Sequence, residues 1–281
     1  MPELPEVESV RRRIEPVMRG ARFVDVLLRR RDLRIPFPRR FRARLEGTDV
    51  LSLDRRAKYL VAPLSSGETL IMHLGMSGSF RFEMMGGSHH ATDAAQEITH
   101  ERHDHVLFRM SSGAIVTFND PRRFGLMDLV KAGQLATHPV LSTLGPEPLD
   151  DAFDGGALAL ACKGKRVPLK VALLDQRVVA GLGNIYASDA LHLAGLSPSR
   201  QASTLATSTG KPRPTADRLA AAIKTVLNAA IERVSSGGYR ASRFRVYDRT
   251  GEPCVTPGCG GVIRQITQAG RTTFYCPNCQ R

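Results

Sequence analysis

The sequence lacks any run of apolar residues long enough to cross a bilayer as a helix, which sets aside an integral helical membrane protein. It is poor in cysteine over most of its length. Only Cys162 precedes position 254, so no disulfide framework organises the bulk of the chain. Negative charge is also scarce, with 27 Asp and Glu against 40 Lys and Arg, a formal net charge of +13 and a pI of about 10.1. Such a balance favours a polyanionic partner, because binding to phosphate releases counterions. Charge kept for solubility alone is the other reading. Internal repeats are absent, and the start Met1-Pro2-Glu3-Leu4-Pro5-Glu6 lacks the basic-then-apolar order of an export signal. The expectation is a cytoplasmic protein with reduced thiols.

The 281 residues suit two domains and a small appendage. Val7, Val10, Ile14 and Val17 or Met18 recur at helical spacing and predict a helix over 2–19. From 21 to 135 the chain reads mostly as β-structure. Short strand-like runs occur at 23–28, 70–74, 105–108 and 114–118, punctuated by Gly, Ser and Asp, as in a sandwich or barrel. Residues 83–102 read as a polar loop. Beyond 136 helical patterns take over, at 169–174, at 185–193 after the turn Ala180-Gly181-Leu182-Gly183, and at 215–234. In the last of these Leu219, Ile223, Val226, Leu227, Ala230, Ile231 and Val234 share one face. Residues 200–214, rich in Ser, Thr and Pro, read as a loop.

Cys254-x4-Cys259 is followed after 16 residues by Cys276-x2-Cys279. Two close pairs of thiolates converge on one tetrahedral zinc, and the alternating runs 262–266 and 272–275 supply a β-hairpin between them. Four protein ligands close the site, so this zinc holds structure and does no chemistry. Two local disulfides are the competing reading, disfavoured by a reducing compartment. Cys162 reads as a small buried residue. His89, His90, His100, His103 and His105 have no spacing that fixes a metal geometry.

Pro2 follows the initiator methionine, and a small second residue normally permits its removal. The exposed secondary amine titrates near an α-amino pKa of about 7.7–8.0, so part of it is nucleophilic at neutral pH. Attack on a sugar carbon leads to an iminium, an electron sink for elimination. Glu3 and Glu6 lie close enough in sequence to move protons there. Proline and glutamate at a helix start are also ordinary capping choices, and this segment alone favours that plainer reading.

Distant segments change the balance. Residues 2–8 (Pro-Glu-Leu-Pro-Glu-Val-Glu) are followed by Arg55-Arg56-Ala57-Lys58-Tyr59-Leu60, then His73-Leu74-Gly75-Met76-Ser77-Gly78 and Asp120-Pro121-Arg122-Arg123-Phe124-Gly125. After them come Gly183-Asn184-Ile185-Tyr186-Ala187-Ser188 and the four cysteines. Together, over essentially the whole chain, they resemble the bacterial formamidopyrimidine-DNA glycosylases, more than the related endonuclease VIII branch. The resemblance implies an α+β multidomain protein. An N-terminal β-sandwich with a flanking helix would span 1–135, a helix–two-turn–helix domain 136–245 and a zinc ribbon 246–281. It implies a bifunctional DNA glycosylase and abasic-site lyase of base-excision repair, acting on damaged double-stranded DNA as a monomer near the nucleoid, with one structural zinc.

By the same resemblance Pro2 is the nucleophile that forms a Schiff base and cleaves by β,δ-elimination. Glu3 is the acid that assists sugar opening, Glu6 supports it, and Lys58 and Arg271 belong to the reacting centre. Met76, Arg122 and Phe124 resemble the trio that fills the hole left by the extruded base. An apolar wedge and a ring replace lost stacking, and an arginine pairs with the stranded partner. By themselves Met76 and Phe124 read as core residues. His73, Asn184 and Arg271 resemble phosphate ligands. Lys170, otherwise a helix-surface lysine, matches a position close to the extruded base.

The chain departs from the family pattern in two places. Gly237-Gly238 reaches Val246-Tyr247 after only Tyr239–Arg245, where relatives carry a longer loop that covers an extruded 8-oxoguanine. Asp189 stands where relatives usually carry Glu, which shifts a hydrogen bond in the DNA-binding module. The alternatives are a non-catalytic damaged-DNA binder, a general zinc-ribbon nucleic-acid module and an endonuclease VIII-like activity on oxidised pyrimidines. Retention of Pro2, Glu3 and Lys58 argues against the first, and a zinc-ribbon module would not need the Pro2-Glu3 start at all.

Overall fold

In the computed structural model, residues 2–85, 101–235 and 244–281 are described. His89, His90, His100, most of the 83–102 loop, Gly237-Gly238 and all but the end of the Tyr239–Arg245 link lie outside them. The chain divides into two compact units. The first holds Met1–Pro2 and Val7–His138, and the second holds Glu3–Glu6 and Pro139–Arg281. The division thus passes twice through the N-terminal segment. The family resemblance put one boundary at 135 and a further one at 245.

The first unit contains most of helix α1 (Leu4–Met18) and two antiparallel four-stranded sheets. One sheet runs β1 (Phe23–Leu28), β6 (Asp104–Met110), β7 (Ala114–Asn119), β5 (Ser79–Met84). The other runs β2 (Asp54–Arg56), β3 (Tyr59–Pro63), β4 (Thr69–His73), β8 (Leu126–Val130). A short helix, α2 (Phe41–Leu45), lies between β1 and β2 in sequence. Alternate residues from both sheets share one core: Val106, Phe108 and Met110, Ala114, Val116 and Phe118, Leu60 and Ala62, Leu70 and Met72, Met127 and Leu129. This period of two is what a strand with one inward face requires, and the fold is a β-sandwich. Val7, Ile14, Val17 and Met18 bring the apolar stripe of α1 onto the same core.

The second unit is helical, with α3 (Gly155–Cys162), α4 (Leu169–Leu174), α5 (Asn184–Leu193) and α6 (Pro214–Ser235), followed by the hairpin β9 (Arg264–Gln268) and β10 (Arg271–Tyr275). Asp154 starts α3 by accepting the N–H of Ala157 at 2.8 Å. The helices enclose a core in which α6 buries Leu219, Ile223, Val226, Leu227, Ala230 and Ile231. Val234, expected on that face, is not among the buried residues. Cys162 sits in this core, where burial pushes its thiol up to about 11 and makes it unreactive. Val246, Ile263, Phe274 and Cys276 form a separate small cluster under the cysteines. Among the described residues no helix is long and apolar enough to cross a membrane.

Candidate functional site

In the first unit, α1 and the sandwich strands place a basic group and a probing loop pair. Glu8 on α1 bridges Arg11 and reaches Arg55 at 3.3 Å, and Arg55 in turn donates to the carbonyl of Ala57 at 3.1 Å. The register Arg56↔Tyr59 makes Ala57-Lys58 the whole β2–β3 turn, with Ala57 held at φ 53°. A left-handed alanine stores strain, and here it delivers Lys58 with its side chain largely buried. Tyr59 pairs with His73 across β3 and β4, their rings 4.7 Å apart.

His73 accepts the N–H of Gly75 at Nδ1, 3.0 Å away. Burial, and then the charges of Lys58 and Arg34, lower its pKa to about 4. The ring is therefore neutral near pH 7 and carries its proton on Nε2, as a donor suited to a phosphate oxygen. Beyond it, Gly75 adopts φ +64°, and a Cβ there would lie 2.3 Å from the Phe124 backbone. Only glycine allows the two loops to approach so closely. Ser77 donates to Asp120 Oδ1 at 2.6 Å, the Arg122 N–H donates to Ser77 Oγ at 3.1 Å, and the Gly125 N–H donates to Asp120 Oδ2 at 2.8 Å. The clamp brings Met76, Arg122 and Phe124 onto one pair of loops. Arg122 lies over the Phe124 ring at 4.8 Å, and Met76 and Phe124 are about 40% exposed. They are not core residues, which is the plainer reading their types suggested.

The histidines near 104 serve the sandwich. Burial opposes the charge of Asp104, but Arg81, Asn119 and the Glu101 N–H hold its carboxyl down to about 2. His105 Nε2 lies 2.9 Å from the Asp120 carbonyl.

In the second unit, Glu3 is almost completely buried, with its carboxylate at the N-terminus of α5. Oε1 accepts from the Ile185 N–H at 2.9 Å and Oε2 from the Tyr186 N–H at 3.4 Å. The helix dipole and free N–H groups there favour an anion. Asn184, which resembles a phosphate ligand in the sequence, begins this helix, and the anion at its N-terminus is the chain's own Glu3. Gly183 makes room, since a Cβ there would meet Glu3 Cδ at 2.2 Å. Glu6 accepts the Glu3 N–H at 2.8 Å and the Tyr186 hydroxyl at 2.5 Å. Burial raises its pKa above the ordinary carboxylate range, against the pull of those hydrogen bonds.

Lys170, on α4, is fully buried rather than on a helix surface. Its ammonium donates to Asn184 Oδ1, to Thr273 Oγ1 at 2.8 Å and to the Thr272 carbonyl at 3.3 Å. Burial, with the charge of Arg271, lowers its pKa to about 8. Asn184 also donates to the Thr272 carbonyl, at 3.0 Å. Lys170 and Asn184 thus fasten the helices to β10, whose first residue is the exposed Arg271. The turn Ala269-Gly270 that presents it has positive φ at both positions, as a two-residue hairpin requires.

Cys254, Cys259, Cys276 and Cys279 place their sulfurs within 4.8 Å of one another. The separations Cys254–Cys279 and Cys259–Cys276 are 3.8 and 3.6 Å. Sulfurs about 2.3 Å from a tetrahedral zinc stand about 3.8 Å apart, whereas a disulfide needs about 2.05 Å. The four thiols are free and form the site of one structural zinc. Asp189 and His192 make contacts that the sequence concealed. Asp189 accepts the N–H groups of Arg245, Val246 and Tyr247, and His192 reaches the cysteines. Only the Asp-for-Glu departure hinted at the first.

Comparison with known proteins gives one answer along the chain. The family models for the formamidopyrimidine-DNA glycosylase N-terminal domain, the formamidopyrimidine-DNA glycosylase H2TH domain and the zinc finger found in FPG and IleRS match residues 1–127, 144–241 and 251–281. The formamidopyrimidine-DNA glycosylases of Afipia carboxidovorans and Rhodopseudomonas palustris are 54% and 55% identical to it, over 100% of each chain. A crystal structure of the Lactococcus lactis enzyme, non-covalently bound to DNA containing an abasic site, superposes with a TM-score of 0.82 at 30% identity, covering 100% of both chains. The chain belongs to the formamidopyrimidine-DNA glycosylase family.

Proposed function

We propose that this enzyme removes ring-damaged purines from double-stranded DNA and then cuts the strand at the sugar left behind. The observation that carries the reading is the buried Glu3 carboxylate fixed at the start of α5, one residue after Pro2. The Pro2 nitrogen bonds to C1′ as the glycosidic bond breaks, and the base leaves with the bonding pair and takes up a proton. The amine gives up its own proton, which the Glu3 carboxylate takes up. The C1′–O4′ bond then opens, O4′ accepts a proton from Glu3, and the nitrogen lone pair completes a charged iminium. Loss of a C2′ proton expels the 3′ phosphate, and a second elimination expels the 5′ phosphate. Water hydrolyses the remaining iminium and frees Pro2. Glu6, its pKa raised by burial, shuttles protons.

Phosphates meet the Nε2–H of neutral His73, with Lys58, Asn184 and Arg271 as further donors. Met76, Arg122 and Phe124 enter the space the base vacates, and Lys170 acts on that side by holding Asn184 in place. A single chain carries every group invoked, so the enzyme works as a monomer, in the cytoplasm where the DNA lies.

Substrate choice follows from the short link before the ribbon. An enzyme selects a base through polar groups that one base satisfies and another leaves unpaired. 8-Oxoguanine differs little from guanine and needs such groups around it. The alignment with the Afipia relative spans 298 positions against 281 residues here, so relatives carry residues without a counterpart in this chain. With the covering loop shortened, formamidopyrimidines and hydantoins, which stack poorly and flip easily, become the better substrates. Single-turnover excision from matched duplexes tests this. Fast release of formamidopyrimidine and slow release of 8-oxoguanine opposite cytosine are expected. Equal rates contradict the role of the loop, and release of oxidised pyrimidines alone contradicts the purine assignment.

A further inference from the structure

Side chains outside the four-cysteine motif join the zinc ribbon to α5. Asp189 and His192 are three residues apart on that helix and share a face. The Asp189 carboxylate accepts the backbone N–H of Arg245 at 2.9 Å and of Val246 at 3.0 Å, which fixes the chain just before the ribbon. So held, Arg245 donates from Nε to His192 Nδ1 at 3.0 Å. The imidazole is buried, and its other nitrogen, Nε2, lies 3.2 Å from Cys254 Sγ. Thr256 Oγ1 and Cys279 Sγ are farther away, at 3.4 and 3.7 Å. A ring nitrogen that accepts a hydrogen bond carries no proton, so the neutral ring keeps its proton on Nε2. That proton faces a sulfur that binds zinc as thiolate.

We propose that His192 is a positioning residue of the zinc centre, donating its Nε2–H to the Cys254 thiolate while Arg245 fixes the proton on that nitrogen. The donor withdraws charge from the sulfur, which lowers its reactivity toward electrophiles and keeps it in place as a ligand. It also ties the helix that begins with Asn184 to the hairpin that carries Arg271.

The test uses the full-length zinc-loaded enzyme and two readouts, release of zinc to an excess of chelator and alkylation of Cys254 by iodoacetamide mapped by mass spectrometry. Partners that orient metal ligands typically alter metal affinity by about 10–100-fold. His192→Leu should therefore release zinc about tenfold faster or more, with faster alkylation of Cys254. His192→Gln, whose amide N–H reaches to a similar depth, should recover most of the difference. Zinc release by the Leu variant at the wild-type rate, or by the Gln variant as fast as by Leu, would overturn the proposal. Should the Leu variant fail to load zinc, the nitrogen-15 spectrum of His192 in the wild-type holoenzyme decides. A proton on Nε2 supports the assignment, and a proton on Nδ1 overturns it.

Discussion

A Cβ on Gly183 would stand 2.2 Å from Glu3 Cδ and 2.5 Å from its Oε1. Gly183→Ala should therefore push the carboxylate off the Ile185 and Tyr186 N–H groups. General acid catalysis contributes about 10²–10⁴-fold, so base excision should fall about 100-fold while binding to an uncleavable abasic analogue changes little. Unchanged single-turnover excision would contradict the role given to Glu3. His73 offers a second test at this scale. Its pKa is depressed to about 4 from an ordinary 6.5. Between those values the unfolded chain binds more protons, so the residue's contribution to stability is complete above about 6.5 and is lost as pH falls through about 4. Wild type should lose stability to urea more steeply than His73→Gln over that window. An imidazole titrating near 6.5 in the folded protein would contradict this.

At the scale of elements, the patterns that repeat within one segment were legible. The expected helix at 169–174 is α4, and that at 215–234 differs from α6 by one residue at each end. The strands at 23–28 and 114–118 are β1 and most of β7. The β2, β3, β5 and β8 strands were not anticipated. β2 has only three residues and β8 carries Asp128 among apolar neighbours, so neither alternation nor an unbroken apolar run marks those two. The run Tyr59–Ala62 of β3 and the alternation of Phe80, Phe82 and Met84 in β5 did carry a strand signal and were overlooked. Helix α2 is too short at five residues for a periodicity to show, and the Asp154 cap that starts α3 was overlooked. The ribbon was legible because its ligands sit close together in sequence. Such a module draws folding energy from its metal. Cys276→Ser should lose zinc and loosen β9 and β10 to hydrogen exchange. With Arg271 no longer presented, one charged hydrogen bond of about 1.5–3 kcal/mol is lost, or about 10–100-fold in DNA affinity. Full zinc content in that variant would contradict the assignment.

Across the whole molecule, legibility stopped where partners are distant. Glu3 meets residues 182 and 183 positions away, and His192 meets Cys254 across 62, separations over which no local pattern speaks. Lys170 illustrates the same limit. Its spacing on α4 says nothing of the Thr273 hydroxyl 103 residues on that helps make its burial tolerable. What made Glu3 and Lys170 readable was the ordered set of motifs along the chain. The central claim is covalent: the amine of Pro2 bonds to the abasic sugar. Borohydride reduction during turnover on duplex DNA with one abasic site, followed by digestion and mass mapping, tests it most directly. The expected result is a stable adduct on an N-terminal Pro2 freed of Met1, and loss of most trapping in Pro2→Gly. An adduct on Lys58 or another lysine, or fully active enzyme that retains Met1, would contradict it.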